Sequence, residues 1–114
     1  MDKNPLFFLH HILESIALLE QYTAGKTKDD FIHSIELQDR VVRRLEIIGE
    51  AVRNLSMAIR EKNPEIPWKK IVGMRDILIH EYFGIDTDLT WQAATIDVRK
   101  LKRQVMKIKE GLEI

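Results

Sequence analysis

The chain has 114 residues, 45% hydrophobic and 32% charged, a balance that excludes a disordered polymer and supplies enough apolar surface for one core. No apolar stretch exceeds four residues, against the roughly 20 that a membrane-spanning helix needs, so no membrane association is expected. Eighteen Lys and Arg offset eighteen Asp and Glu, so any nucleic-acid contact must be local, and the absence of cysteine excludes disulfides, thiolate nucleophiles and cysteine-ligated metals.

Met1-Asp2-Lys3-Asn4-Pro5 has no basic region feeding an apolar run, so no secretory signal is expected and a cytoplasmic location is. Asn4 as N-cap with Pro5 at the first helical position starts a helix that carries Phe8, Ile12, Ile16 and Leu19 toward Gly25. Thr27, with Asp30 three residues on, caps a short helical turn around Phe31.

A long helix is expected from about Ile35 to Glu61. Its apolar residues Val41, Leu45, Ile48, Val52, Leu55 and Ile59 step alternately by four and three, which draws one stripe along one face. Arg44, Arg40, Ile47, Ala51 and Ala58 flank that stripe, so the helix is expected either at the centre of a bundle or also against a second subunit.

Asn63-Pro64 ends this element, and Pro67 starts another that runs from Trp68 to about Tyr82, with Gly84 closing it. Asp86 or Asp88 caps the last helix, whose stripe is Trp91, Ala94, Val98, Leu101, Val105 and Ile108. Its basic run Arg99-Lys100-Leu101-Lys102-Arg103 falls opposite that stripe and reads as a solvated face rather than a nucleic-acid patch. No stretch alternates as a strand would. The fold class is therefore all-α, an up-and-down four-helix bundle, in a single domain over residues 1–114.

One segment departs from this plain pattern. On a continuous helix over 68–83, Trp68, Ile71, Val72, Leu78, Ile79, Tyr82 and Phe83 fall within about 80° of Arg75, which puts an arginine in the middle of the apolar stripe. His80 falls about 140° away, near Asp76 and Lys69. Two readings are open. In the structural one, Arg75 packs its stem and pairs with a carboxylate of another helix, and pairing is commoner than catalysis for such residues. In the catalytic one, Arg75 binds phosphate and His80 transfers a proton near neutral pH. A five-residue separation does not align the two on one ideal helix. They converge if the helix end unwinds near His80, or if two copies of the segment meet across a dimer.

Arg75 to Tyr82 forms an RxxxxHxY pattern, and Leu45-Glu46-Ile47-Ile48-Gly49-Glu50-Ala51, Ile66-Pro67-Trp68 and Gly73-Met74-Arg75 through Phe83-Gly84-Ile85-Asp86 surround it. In order and spacing these segments resemble the HepT-like branch of the HEPN superfamily across most of the chain. The resemblance implies a helical-bundle homodimer, the toxin of a prokaryotic toxin-antitoxin pair, that cleaves RNA without a metal or other cofactor. It further implies an MNT-type nucleotidyltransferase antitoxin that adds AMP to the motif tyrosine, here Tyr82. Carried onto this chain, it makes His80 and Arg75 catalytic, with Asp76 supporting one of them. The alternative is a non-catalytic substrate-binding or scaffold subunit of a two-component nucleotidyltransferase.

Elsewhere, His10, His11 and Glu14 put histidine and carboxylate four apart, but carboxylate-bridged bundles need Glu-x-x-His on two helices and the chain has none, so no metal site is expected. His33 has no nameable partner. There is no GxSxG, no Gly-rich phosphate loop and no dinucleotide fingerprint. Trp68 and Trp91 lie on apolar stripes, which favours packing over base stacking.

Overall fold

The computed structural model describes residues 4–80 and 84–113, His80 by its backbone alone. Tyr82, the expected site of modification, lies outside the described residues. As expected, the protein is an all-helical bundle.

Helix α1 spans Pro5–Thr23 and begins as its sequence dictates, with Asn4 Oδ1 accepting the Leu6 N–H at 2.9 Å. Its stripe, Leu9, Ile12, Ile16 and Leu19, is completely buried, each side chain contributing about 1.5–3 kcal/mol through removal from water. Helix α2 spans Lys28–Ile32 and carries the full capping box: the Asp30 N–H donates to Thr27 Oγ1, and Asp30 Oδ2 accepts from the Thr27 N–H. Phe31 is buried from α2 and stacks at a tilt on Trp91, 5.3 Å between centroids.

Helix α3, Ile35–Arg53, packs against α1 and α2 and also against the later helices α5 and α6, which gives it the central place that its wide apolar arc predicted. It is shorter than expected. The chain turns at Asn54-Leu55-Ser56 and continues as α4, Met57–Lys62, because Ser56 takes up the Ile59 N–H and so caps a new helix. Arg60 reaches back to the Arg53 and Leu55 carbonyls at 2.8 and 3.3 Å, satisfying the exposed end of α3, while Leu55 seals the corner.

The helix expected over 68–82 is also broken. It consists of α5, Trp68–Val72, and α6, Met74–Leu78, on either side of Gly73. Beyond Leu78 the backbone is extended: β1, Ile79–His80, pairs antiparallel with β2, Gly84–Ile85, in the register Ile79 with Ile85 and His80 with Gly84. This two-residue ladder corrects the expectation of no strand. β-branched Ile77 and Ile79 favour the exit from helix, and Gly84, at φ +85°, takes a conformation that side chains resist. The Asp86 N–H donates to the Leu78 carbonyl at 2.6 Å and closes the base.

Asp86, rather than Asp88, caps α7, Thr87–Gln92, by accepting the Leu89 N–H at 3.1 Å. A π-helical segment, Ala93–Asp97, joins α7 to α8, Val98–Glu113. Helix α8 packs on α1, with Lys102 Nζ donating to Glu20 Oε1 at 2.9 Å. Arg99, Lys100 and Arg103 face solvent, as their position on the wheel required. No helix among the described residues is long and apolar enough to cross a membrane.

Candidate active site

Placement of the motif segment starts from Gly49, one of the buried residues of α3. A Cβ there would stand 3.0 Å from the Ile71 carbonyl oxygen, so glycine is what lets the end of α5 lie directly on α3. Gly73 then ends α5, its N–H bonded to the Lys69 carbonyl at 3.0 Å, and at φ −85°, ψ 8° it separates α5 from α6. Trp68 anchors the other end of α5: its indole N–H donates to the Asn63 and Arg60 carbonyls at 2.9 and 3.1 Å, and the ring is buried.

These constraints bring Arg75 beside α3. Its Nε lies 3.1 Å from Glu46 Oε2 in an ion pair, with the arginine side chain 66% exposed and the glutamate 30%. The structural reading of Arg75 must change accordingly. The carboxylate of another helix that the structural reading required is present, but the burial is not. The wheel misplaced Arg75 because it assumed one axis through Gly73, where the structure has two short helices. An exposed pair of this kind is worth about 0–1 kcal/mol, so the guanidinium can leave Glu46 for a better anion at little cost.

Arg75 and Asp76 line an open groove of about 620 Å³ between the start of α1, α3 and the α5–α6 corner. Glu46 lines it too, as do His11 and Arg43. Asp76 is exposed beside Arg75. His80 lies past the end of α6 on β1, so it shares no helix face with Arg75. The unwinding near His80 that the sequence allowed is what the backbone does.

Reasoning from sequence missed Glu46 and the groove around it. A signal was present in Glu46, a carboxylate immediately after the stripe residue Leu45 on the face turned toward α6. The histidines His10 and His11 separate, His10 exposed and His11 half-buried against Phe7, and among the described residues no three His, Asp or Glu side chains gather as metal ligands would. Trp68 packs on the α4 end as a core residue, and Trp91 is half-buried on Phe31 at the edge of the core.

A family model described as "Ribonuclease HepT-like" matches residues 12–108. A Methanocaldococcus jannaschii protein named "Gamma-glutamylcyclotransferase and putative RNase" is 55% identical over 99% of this chain, which spans 51% of that relative's length. A "Putative RNase" of Caldanaerobacter subterraneus subsp. tengcongensis is 43% identical over 93% of this chain and 95% of its own. The "Probable ribonuclease HepT" of Thermococcus cleftensis is 39% identical over 96% of this chain and 100% of its own. No solved structure gives a significant match. With the family match covering most of the chain and the relatives aligned nearly end to end with it, the protein belongs to the ribonuclease HepT-like family.

Proposed function

We propose that this chain is an endoribonuclease and that Arg75 and His80 carry the reaction. The observation that supports this most directly is the state of Arg75: an exposed guanidinium at an open groove, held by one weak, exchangeable carboxylate contact, in a chain of the HepT-like family. RNA supplies its own nucleophile. The ribose 2'-oxygen attacks the adjacent phosphorus, its proton passes to a base, and the 5'-oxygen leaves with a proton, so the products are a 2',3'-cyclic phosphate and a free 5'-hydroxyl. His80 moves one of these protons, and Arg75 stabilises the charge that builds on the phosphorane oxygens. Asp76, next to Arg75 on α6, orients one of the two.

The finer reading extends to assembly and control. The protein acts as a homodimeric toxin, and an MNT-type nucleotidyltransferase antitoxin silences it by adding AMP to Tyr82. Two residues from His80, that group would bring a phosphate and a base to the place where RNA must lie, competing for it by bulk and by charge.

The test uses purified unmodified protein and single-stranded RNA, with product ends mapped. Arg75→Ala and His80→Ala are each expected to slow cleavage by about 10²–10⁴-fold with the thermal midpoint unchanged. Cleavage by His80→Ala at the parent rate would remove the mechanism. An uncut substrate with the parent itself would favour the non-catalytic binding subunit instead.

A further inference from the structure

Helix α8 packs on α1, and its other flank is left open. A cavity of about 210 Å³ lies between α8 and the α5–α6 corner, and one of about 350 Å³ between α8 and α4. Neither shares a lining residue with the Arg75 groove. From α8, Lys100 and Gln104 line the first cavity, Lys107 and Gly111 the second, and at 100° per residue all four fall within about 60° of one another. The two cavities therefore open on one side of α8, on successive turns, as a single groove about 18 Å long from Lys100 to Leu112. The opposite wall is continuous as well, because the Trp68 indole ties α5 to the end of α4.

This groove is apolar below and positive at its edges. Ile77, Leu89 and Leu112 line it at 44%, 43% and 43% exposure, a row of aliphatic surface left in water. Lys70 and Lys100 stand on opposite walls of the first cavity, Lys62 and Lys107 on opposite walls of the second. All four are exposed and none forms an ion pair among the described residues, where Asp97 is the one carboxylate of the lining.

We infer that the groove is a docking site for an acidic amphipathic helix of a partner protein. An aliphatic floor takes the apolar face of such a helix, and two rows of lysine match carboxylates on its flanks. A helix fits better than an extended peptide. The walls are themselves helices with no open sheet edge to pair with, so a strand would leave its backbone groups unmatched. No aromatic ring among the described lining residues offers a face to an unpaired base, which disfavours RNA. Two copies meeting groove to groove would set lysine against lysine. The inference stands apart from the ribonuclease reading, and peptide binding or its loss leaves that reading untouched.

Fluorescence anisotropy on the full chain tests this with a labelled synthetic helix of about 14 residues, leucine along one face and glutamate on its flanks. A scrambled peptide of the same composition, which no longer gathers leucine on one face, is expected to bind about tenfold more weakly. Lys70→Glu combined with Lys100→Glu is expected to weaken the ordered peptide about tenfold, and Ile77→Ser about fivefold. These side chains are exposed, so thermal midpoints should hold; if Ile77→Ser unfolds, the lysine pair decides. Equal binding of the ordered and scrambled peptides overturns the inference, as does binding by the lysine variant within about twofold of the parent. Displacement of the peptide by oligouridylate, with oligouridylate binding lost in the lysine variant, overturns it in favour of RNA. A parent that is dimeric by light scattering and becomes monomeric as Ile77→Ser overturns it in favour of a second copy.

Discussion

The α1–α3 pair and the 68–86 segment solve the problem of holding a helix in opposite ways. Helices α1 and α3 each run for 19 residues, start on side-chain caps, and press complete apolar stripes together, so their order comes from burial distributed over many residues. Among its described residues the 68–86 segment has two five-residue helices and a two-residue ladder, none long enough to persist alone in water. Its order comes from point constraints: the Trp68 indole, the contact at Gly49, the turn at Gly84 and the Leu78 to Asp86 bond. The candidate chemistry sits in the second region. There the short helix α6 presents the exposed Arg75 and Asp76 to the groove.

This contrast can be broken at either end. Ile48 is fully buried in α3, and Ile48→Ala is expected to cost about 2–5 kcal/mol in urea unfolding, lowering the stability of the whole bundle together. Gly49→Ala adds one methyl group against backbone and is expected to cost about 1–3 kcal/mol. Its damage should be concentrated in faster hydrogen exchange across 68–78, with α1 protected as before. Uniform loss of protection would mean that the corner is not an independent unit.

Ser15 sharpens the comparison from the stable side. It is buried in α1 and its hydroxyl has no hydrogen-bond partner among the described residues, so Ser15→Ala is expected to raise stability by about 1 kcal/mol. A loss on substitution would show that the hydroxyl is satisfied in solution.

The smallest expected effect lies at the α2 cap. The Thr27 backbone N–H, then its hydroxyl, hold the Asp30 carboxyl below its ordinary 3.8. A depressed carboxylate adds stability that is present above the unfolded value and lost as pH falls through the folded one. Asp30→Asn should therefore flatten part of the decline in stability below about pH 4 and change little at pH 7, as read by thermal midpoints across pH.

The sequence was most legible where burial is periodic and caps are local. Asn4-Pro5 and Thr27 with Asp30 needed only neighbours within four residues, and the structure has both caps; of the expected stripes, Ile12, Ile16 and Leu19 in α1 and Val98, Leu101 and Val105 in α8 are buried, while Phe8 is half-buried and Leu9 takes its place in the core. The same reasoning ran α3 through Asn54-Leu55-Ser56 because Leu55 and Ile59 keep the stripe in phase. It could not see that Arg60 would fold back and satisfy the end of α3. Around Arg75 the error had the same origin. A wheel assigns faces only along one axis, and the axis ends at Gly73.

What the amino-acid order determined by itself was the class of fold, the caps at Asn4 and Thr27, and the resemblance to the HepT-like family. Those properties depend on neighbours in sequence or on residue type. Only the tertiary structure decided that Arg75 is exposed rather than buried, that Glu46 is its partner, and that Phe7 and His11 share its groove. These depend on how closely α5 approaches α3 at Gly49, a contact between residues far apart in the chain, and no periodicity encodes such a distance.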